Sequence, residues 1–159
     1  MRQVRTGPSP AVGAGASEVP TPLTRERLLT LCAQAGWSHR VGPEGELRVT
    51  PLLDEVALHQ RGEHGEALLV RSTWHVALDV GVRETARRLI EDHHRRTPWP
   101  QAHLEVQDQG VLLVHTDQAV DLTEGVTEDQ LRAHVADALG AAQSLFDELG
   151  SRLVRLEVS

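Results

Sequence analysis

Glycine-bearing turn signals, together with Pro51, divide much of the chain into short runs of about five to ten residues. Gly42-Pro43-Glu44-Gly45 separates residues 37–41 from 46–50, and Gly62 to Gly65 separates residues 56–60 from 67–76. A third signal, Asp108-Gln109-Gly110, lies between residues 103–107 and 111–116. Strands joined by such tight links run antiparallel, because a parallel neighbour needs a crossover of a dozen or more residues. In the run 67–76, Leu68, Val70, Ser72 and Trp74 share one face, and Ala67, Leu69, Arg71 and Thr73 share the other. The first set is the more apolar and is expected to face the core. Pro51 stops the second strand or marks its edge.

Three segments carry a helical period instead. Thr24 can cap a helix over residues 24–35, with Glu26 in its positive first turn, Leu28, Leu31, Cys32 and Ala35 on one face, and Gly36 placed for a left-handed end. Asp79 can cap a second helix running to about Arg96, with Val82, Ala86, Leu89, Ile90 and His93 in register, ending before Pro98. Thr127-Glu128-Asp129-Gln130 fits a capping box, and Leu131, Val135, Ala138, Leu139, Ala142, Leu145, Phe146 and Leu149 then form a wide apolar stripe. Gly140 interrupts that stripe at a cost of about 1 kcal/mol against alanine. The order α-β-β-β-β-α-β-β-α predicts an α+β fold, an antiparallel sheet of about five to six strands flanked by three helices. No internal repeat stands out.

At 159 residues the chain fits a single domain. Residues 1–22 are rich in Gly, Pro, Ala and Ser and read as a disordered arm. The folded α+β domain is expected over residues 23–150, with 151–159 as a C-terminal tail. No apolar run approaches the ~18 residues that span a bilayer, and residues 1–22 lack the apolar core of a signal peptide. The expected location is cytoplasmic, without a membrane. The net charge is −7, and residues 117–148 hold eight acids against the single base Arg132. An acidic body repels phosphate backbones, which argues against direct nucleic-acid binding.

The chain has no Lys and no Tyr, which excludes a Schiff-base lysine, a phosphate-cradling GxxxxGK[ST] loop and tyrosine chemistry. Cys32 is the only cysteine, so no intramolecular disulfide forms. Nine histidines invite a metal reading, but neither HExxH nor a CxxC pair is present, and the adjacent His93 and His94 point about 100° apart on a helix. His59 and His64 flank a turn. No metal site and no cofactor are expected. Asp117, Asp121 and Glu124 read as a solvated strand exit, so no catalytic residue is assigned. The arginines of the second helix alternate with Glu84, Glu91 and Asp92 and read as a solvated face. Trp99, held between Pro98 and Pro100, suits a protein-binding anchor. The candidate protein-binding residues are Trp99, Leu145, Phe146 and Leu149.

Several local motifs carry a family likeness. They are Ala35-Gly36-Trp37 closing the first helix, Gly45-Glu46-Leu47 in the first hairpin, Ser72-Thr73-Trp74 ending the long strand, Pro98-Trp99-Pro100-Gln101-Ala102, and Val120-Asp121-Leu122 through Gly125-Val126-Thr127. From about Leu23 to Leu149 the chain resembles the YbjN family of bacterial proteins, often labelled sensory transduction regulators. Two places depart from the family pattern. Glu91-Asp92-His93-His94 stands where an Asn and a Trp often close the second helix, and Gln101 stands where a Lys is frequent. The resemblance implies a fold like that of type III secretion chaperones, an antiparallel sheet flanked by helices, often dimeric and binding segments of other proteins. It further implies a homodimeric, non-catalytic adaptor whose partner is another bacterial protein, with no catalytic residues to carry over. Two rivals remain. A metal-dependent hydrolase would converge Asp117, Asp121 or Glu124 with a histidine in a deep pocket. A regulator of nucleic-acid metabolism would act through a partner.

Overall fold

The structure is a computed structural model that describes residues 18–153. Helices α1 (Arg25–Gln34), α2 (Arg83–Arg96) and α3 (Glu128–Leu153) lie against one antiparallel sheet of seven strands. The strands are β1 (His39–Val41), β2 (Leu47–Val49), β3 (Glu55–Arg61), β4 (Ala67–Thr73), β5 (Leu78–Asp79), β6 (Gln101–Gln107) and β7 (Val111–Asp121). Their order is β1-β2-β3-β4-β7, with β5 continuing along the β4 side of β7 and β6 forming the far edge. The expected α+β fold is the one observed, with one strand more than the hairpin count.

Helices α1 and α3 begin where their capping chemistry places them, whereas α2 begins at Arg83, four residues past the expected cap Asp79 and with no side-chain cap of its own. Thr24 Oγ1 accepts from the Arg27 amide at 3.2 Å, and Gly36 closes α1 at φ +72°. At the start of α3 the capping box is complete: the Thr127 amide donates to Gln130 Oε1 at 3.0 Å, and the Gln130 amide donates to Thr127 Oγ1 at 3.1 Å. Asp79 Oδ1 accepts from the Gly81 amide at 2.7 Å, capping a short 3-10 turn that leads into α2.

One sheet face is buried beneath the helices. Register sets Leu47, Leu58, Val70 and Gln118 in one cross-strand row and Val49, Val56, Ser72 and Thr116 in the next. Leu28, Leu31 and Cys32 of α1 pack with the first strands and the N-terminal half of α3. Trp74, Ala86, Ile90, Leu112 and Val114 pack with Ala142, Leu145, Phe146, Leu149 and Leu153. Helix α3, 26 residues and about 39 Å long, bridges both clusters and is the element that makes them one core.

The boundaries differ from expectation in several places. The folded part begins before residue 23: Thr21 pairs with Val126, and Glu18 Oε2 accepts from the Glu128 amide at 3.2 Å in the first turn of α3. Residues 1–17 of the expected arm lie outside the described residues. Helix α3 runs through residues 151–153 and buries Leu153, so those residues are not tail; residues 154–159 lie outside the described residues. Strand β7 continues to Asp121, five residues past the expected end at 116, because the whole of β4 is there to pair with it. Strand β5 was not expected. From Thr73 to Leu78 the chain takes five steps against three on β7, from His115 to Leu112, so a bulge hides the return to pairing.

The two hairpin turns are also more alike than their sequences first suggest. In each, a glycine amide closes on a glycine carbonyl three residues back, Gly45 to Gly42 at 3.0 Å and Gly65 to Gly62 at 3.2 Å. In each, the following glutamate folds back so that its carboxylate accepts a turn amide, Glu46 from Glu44 at 2.9 Å and Glu66 from His64 at 2.8 Å. A Cβ on Gly42 would stand 1.9 Å from the Glu46 carboxylate, and one on Gly62 2.4 Å from that of Glu66. The shared pattern is Gly-x-x-Gly-Glu, a local repeat that apolar periodicity does not reveal.

Gly140 has no such role, since a Cβ there would meet nothing within 4 Å among the described residues. Gly140→Ala is expected to stabilise the domain by up to about 1 kcal/mol through helix propensity and unfolded-state entropy. A rise in melting temperature checks it.

Candidate functional site

Among the described residues no helix packs on the other face of the sheet, where polar, cross-paired side chains alternate with Ala57, Leu69, Leu113 and Ala119. Arg71 grips Asp117 with two bonds, Nε to Oδ1 at 2.7 Å and Nη2 to Oδ2 at 2.8 Å. The next row holds Thr73, His115 and His103, opposite one another by register. Thr73 Oγ1 lies 2.8 Å from His115 Nδ1, His115 Nε2 lies 2.6 Å from Glu105 Oε2, and the His103 and His115 rings stack at 5.1 Å. Toward the other edge, Arg48 links Glu46 to Glu55, and Arg40 also pairs with Glu55. Arg71–Asp117 and Arg48–Glu55 are cross-strand pairs of opposite charge, the arrangement that stabilises a solvated sheet face.

The acids expected as a possible centre do not converge. Asp117 lies 3.9 Å from His103, Asp121 is turned onto the Thr123 amide and hydroxyl, and Glu124 is exposed. Burial alone would raise the Asp117 carboxyl, but the Arg71 guanidinium holds it below the usual aspartate value. A carboxylate so pinned stays ionised, which suits an ion pair better than proton transfer near neutral pH.

Glu44, Glu46 and His59 place three potential ligand atoms within 4.8 Å of one another, a cluster the sequence did not single out. Its electrostatics do not fit a cation. Arg48 Nη2 sits 2.6 Å from Glu46 Oε1, Arg61 Nη2 sits 3.6 Å from Glu44 Oε2, and Arg25 Nη1 donates to the Gly45 carbonyl at 2.5 Å. A metal ion would compete with these guanidinium groups for oxygens that already accept hydrogen bonds. The cluster is the lock of the first hairpin turn. Burial, followed by the charge of Arg61, pushes the His59 pKa down.

The predicted binding residues separate into two groups. Leu145, Phe146 and Leu149 are fully buried, with Phe146 stacked on Trp74 at 5.9 Å between ring centroids. The expectation of a docking stripe there is corrected. A 26-residue helix on a sheet has one face wide enough for that many large apolar residues, and the sheet covers it. Trp99, in contrast, is 45% exposed. Its loop is tied back to α2: His93 Nε2 lies 3.3 Å from the Trp99 carbonyl, and Thr97 Oγ1 donates to the same carbonyl at 3.1 Å. The Trp99–Pro100 bond is cis.

Trp99 leans over a cleft of about 170 Å³ lined by Val70, Gln118, Ala119, Val120 and His134. This is where β7 runs on beyond the first residue of β6, which pairs with Asp117. The buried Gln118 Oε1 has no hydrogen-bond partner among the described residues. A second apolar cleft of about 230 Å³ lies beside Gly140 and Leu139 under the loop 51–54. The outward leucines of that loop, Leu52 at 81% and Leu53 at 68%, are among the most exposed apolar side chains described. No apolar run in sequence marks either cleft, because each draws on separate strands, loops and a helix. Among the described residues no helix is long and apolar enough to cross a membrane.

A family model named YbjN, described as "Putative bacterial sensory transduction regulator", matches residues 24–151. The fold is similar to the crystal structure of "YbjN, a putative transcription regulator from E. coli", at 14% identity and a TM-score of 0.68, covering 84% of this chain and 96% of that one. It is also similar to an uncharacterized protein from Methanothermobacter thermautotrophicus, at 12% identity and a TM-score of 0.57, covering 82% of this chain and 99% of that one. At these identities the likeness is one of fold. No curated protein matches the chain.

Proposed function

The chain belongs to the YbjN family, and from that membership we propose that it is a non-catalytic, homodimeric adaptor or chaperone-like protein of the bacterial cytoplasm. It acts by holding a segment of another bacterial protein. The observation that carries this reading is the Trp99 cleft: an exposed indole on a braced loop, beside apolar strand residues and a buried carbonyl oxygen with no partner among the described residues. A tryptophan over a small cleft, with polar groups to fix orientation, suits a protein-binding anchor. A segment bearing an apolar side chain and an N–H donor is the ligand such a cleft fits. The ionisable groups of the open sheet face support the same reading, since the central ones are already paired with neighbours.

The test is capture of a partner from lysate of the native organism, followed by titration of that partner against the wild type and Trp99→Ala. Loss of a hot-spot tryptophan is expected to weaken binding at least about thirtyfold, with folding unchanged by circular dichroism. Equal affinity of the two proteins for every captured partner would overturn the reading.

The similarity in fold to an E. coli protein described as a transcription regulator supports a second reading, regulation of transcription through a partner. With a net charge of −7, the chain is expected to show no salt-dependent affinity of its own for single-stranded or duplex DNA.

A further inference from the structure

We propose that β6 is a self-association edge, and that two copies of this chain pair antiparallel along it about a two-fold axis at Leu104. The inference rests on the homodimeric part of the reading above and names the surface that would build the dimer.

Among the described residues the sheet ends in three strands, β1, β5 and β6, and β5 is only two residues long. Strand β1 is three residues long, a length that blunts an edge. Strand β6 is seven residues long and mostly exposed, and it carries neither proline nor lysine, the residues that usually guard an edge. Its outward main chain is oriented for pairing. The Val114 carbonyl accepts from the Trp74 amide at 3.0 Å, so it points to the β4 side and away from its register partner Leu104. The Ala102 amide donates to His94 Nε2 at 3.1 Å, which also places it on the outer side. Alternation in an antiparallel ladder then turns the amides and carbonyls of Leu104 and Val106 outward. Among the described residues only Ala102 finds a partner there.

The order of side chains matches this geometry. The strand reads Gln101-Ala102-His103-Leu104-Glu105-Val106-Gln107. Folded on itself about Leu104, it sets Gln101 against Gln107 of the partner subunit, His103 against Glu105 of the partner subunit, and Ala102 against Val106 of the partner subunit. Both faces are then complementary, polar with polar on the open face and apolar with apolar on the helix face. The histidine–glutamate pair occurs twice by symmetry. The His103 and Glu105 side chains are 45% and 50% exposed, so each keeps a free side despite its contacts with Asp117 and His115. A shift of register by one residue would place apolar against polar across the whole strand. The Ala102 amide would exchange His94 for the Val106 carbonyl of the partner subunit.

The experiment combines light scattering with a distance measurement on the full chain. The wild type is expected to be a dimer. Val106→Pro removes an outward amide that bonds nothing among the described residues, so it is expected to weaken association at least about a hundredfold while the melting temperature moves little. Val106→Lys, which keeps the backbone unchanged, is expected to act in the same direction. A spin label on Gln107→Cys in a Cys32→Ala background is expected to report about 20 Å between copies, six residues along the paired strand. A monomeric wild type at about 100 µM overturns both the dimer reading and this contact. A dimer that survives both Val106 variants, with labels far from that distance, overturns the β6 contact and leaves the dimer reading standing.

Discussion

Phe146→Ala is expected to cost about 3–5 kcal/mol of folding stability, a shift of roughly 2 M in urea midpoint for a domain of this size. Phe146 is the largest fully buried side chain described, and its ring lies 12° from parallel with that of Trp74. It sits among Leu145, Leu149, Leu112 and Val114, where α3 closes the second half of the core. Truncation removes the transfer energy of the ring and leaves a cavity that helix and sheet cannot close without breaking other contacts. Domains are stable by only about 5–15 kcal/mol, so the variant is expected to unfold measurably under mild stress. Tryptophan fluorescence is a direct readout because Trp74 forms one wall of the cavity. A change below about 1 kcal/mol would show that α3 does not close the core here.

Glu46→Ala is expected to cost about 2–3 kcal/mol, the scale for losing hydrogen bonds to charged groups at a buried site. The carboxylate accepts from Arg48 Nε at 2.7 Å and from the Glu44 amide at 2.9 Å, and its removal leaves both donors without that acceptor. The matched variant Glu66→Ala serves as control. It removes the same kind of bond from the second turn at a more exposed site, and is expected to cost less.

The pH dependence follows from the direction of the Glu46 shift. Burial by itself would raise its pKa, but the main-chain amides and Arg48 outweigh burial and hold it below the ordinary 4.5. Its contribution is therefore fully present above 4.5 and is lost as pH falls through the lower folded value. The stability gap between wild type and Glu46→Gln is expected to be widest near neutrality and to narrow toward acid. Urea titrations at several pH values measure it. A gap that widened as pH fell would contradict the assignment.

Much of the candidate site was legible in outline and little of it in detail. Trp99 stands out in the sequence as a candidate because two flanking prolines make a stiff loop, and stiffness is a local property. The cleft it overhangs could not be read, since Val70, Gln118 and His134 reach it from two strands and a helix. The apolar residues Leu145, Phe146 and Leu149 illustrate the opposite error. A helical stripe shows only that a face must be buried, and a core and a docking surface are buried by the same chemistry. The Glu46 lock was missed because the cue lay in one polar residue following two glycines.

What the sequence by itself determined is everything whose cause lies within a few residues. That covers the caps at Thr24 and Thr127, the glycine turns at positive φ, the antiparallel hairpins, and the alternation that buries Leu68, Val70, Ser72 and Trp74. Only the tertiary structure decided how far β7 runs, that β5 rejoins it after a bulge, that residues near Thr21 are drawn into the fold, and which strand is left as an open edge. The physical reason is that hydrogen-bond ladders and buried faces need a partner remote in the chain, and a sequence pattern carries the demand for that partner without naming it.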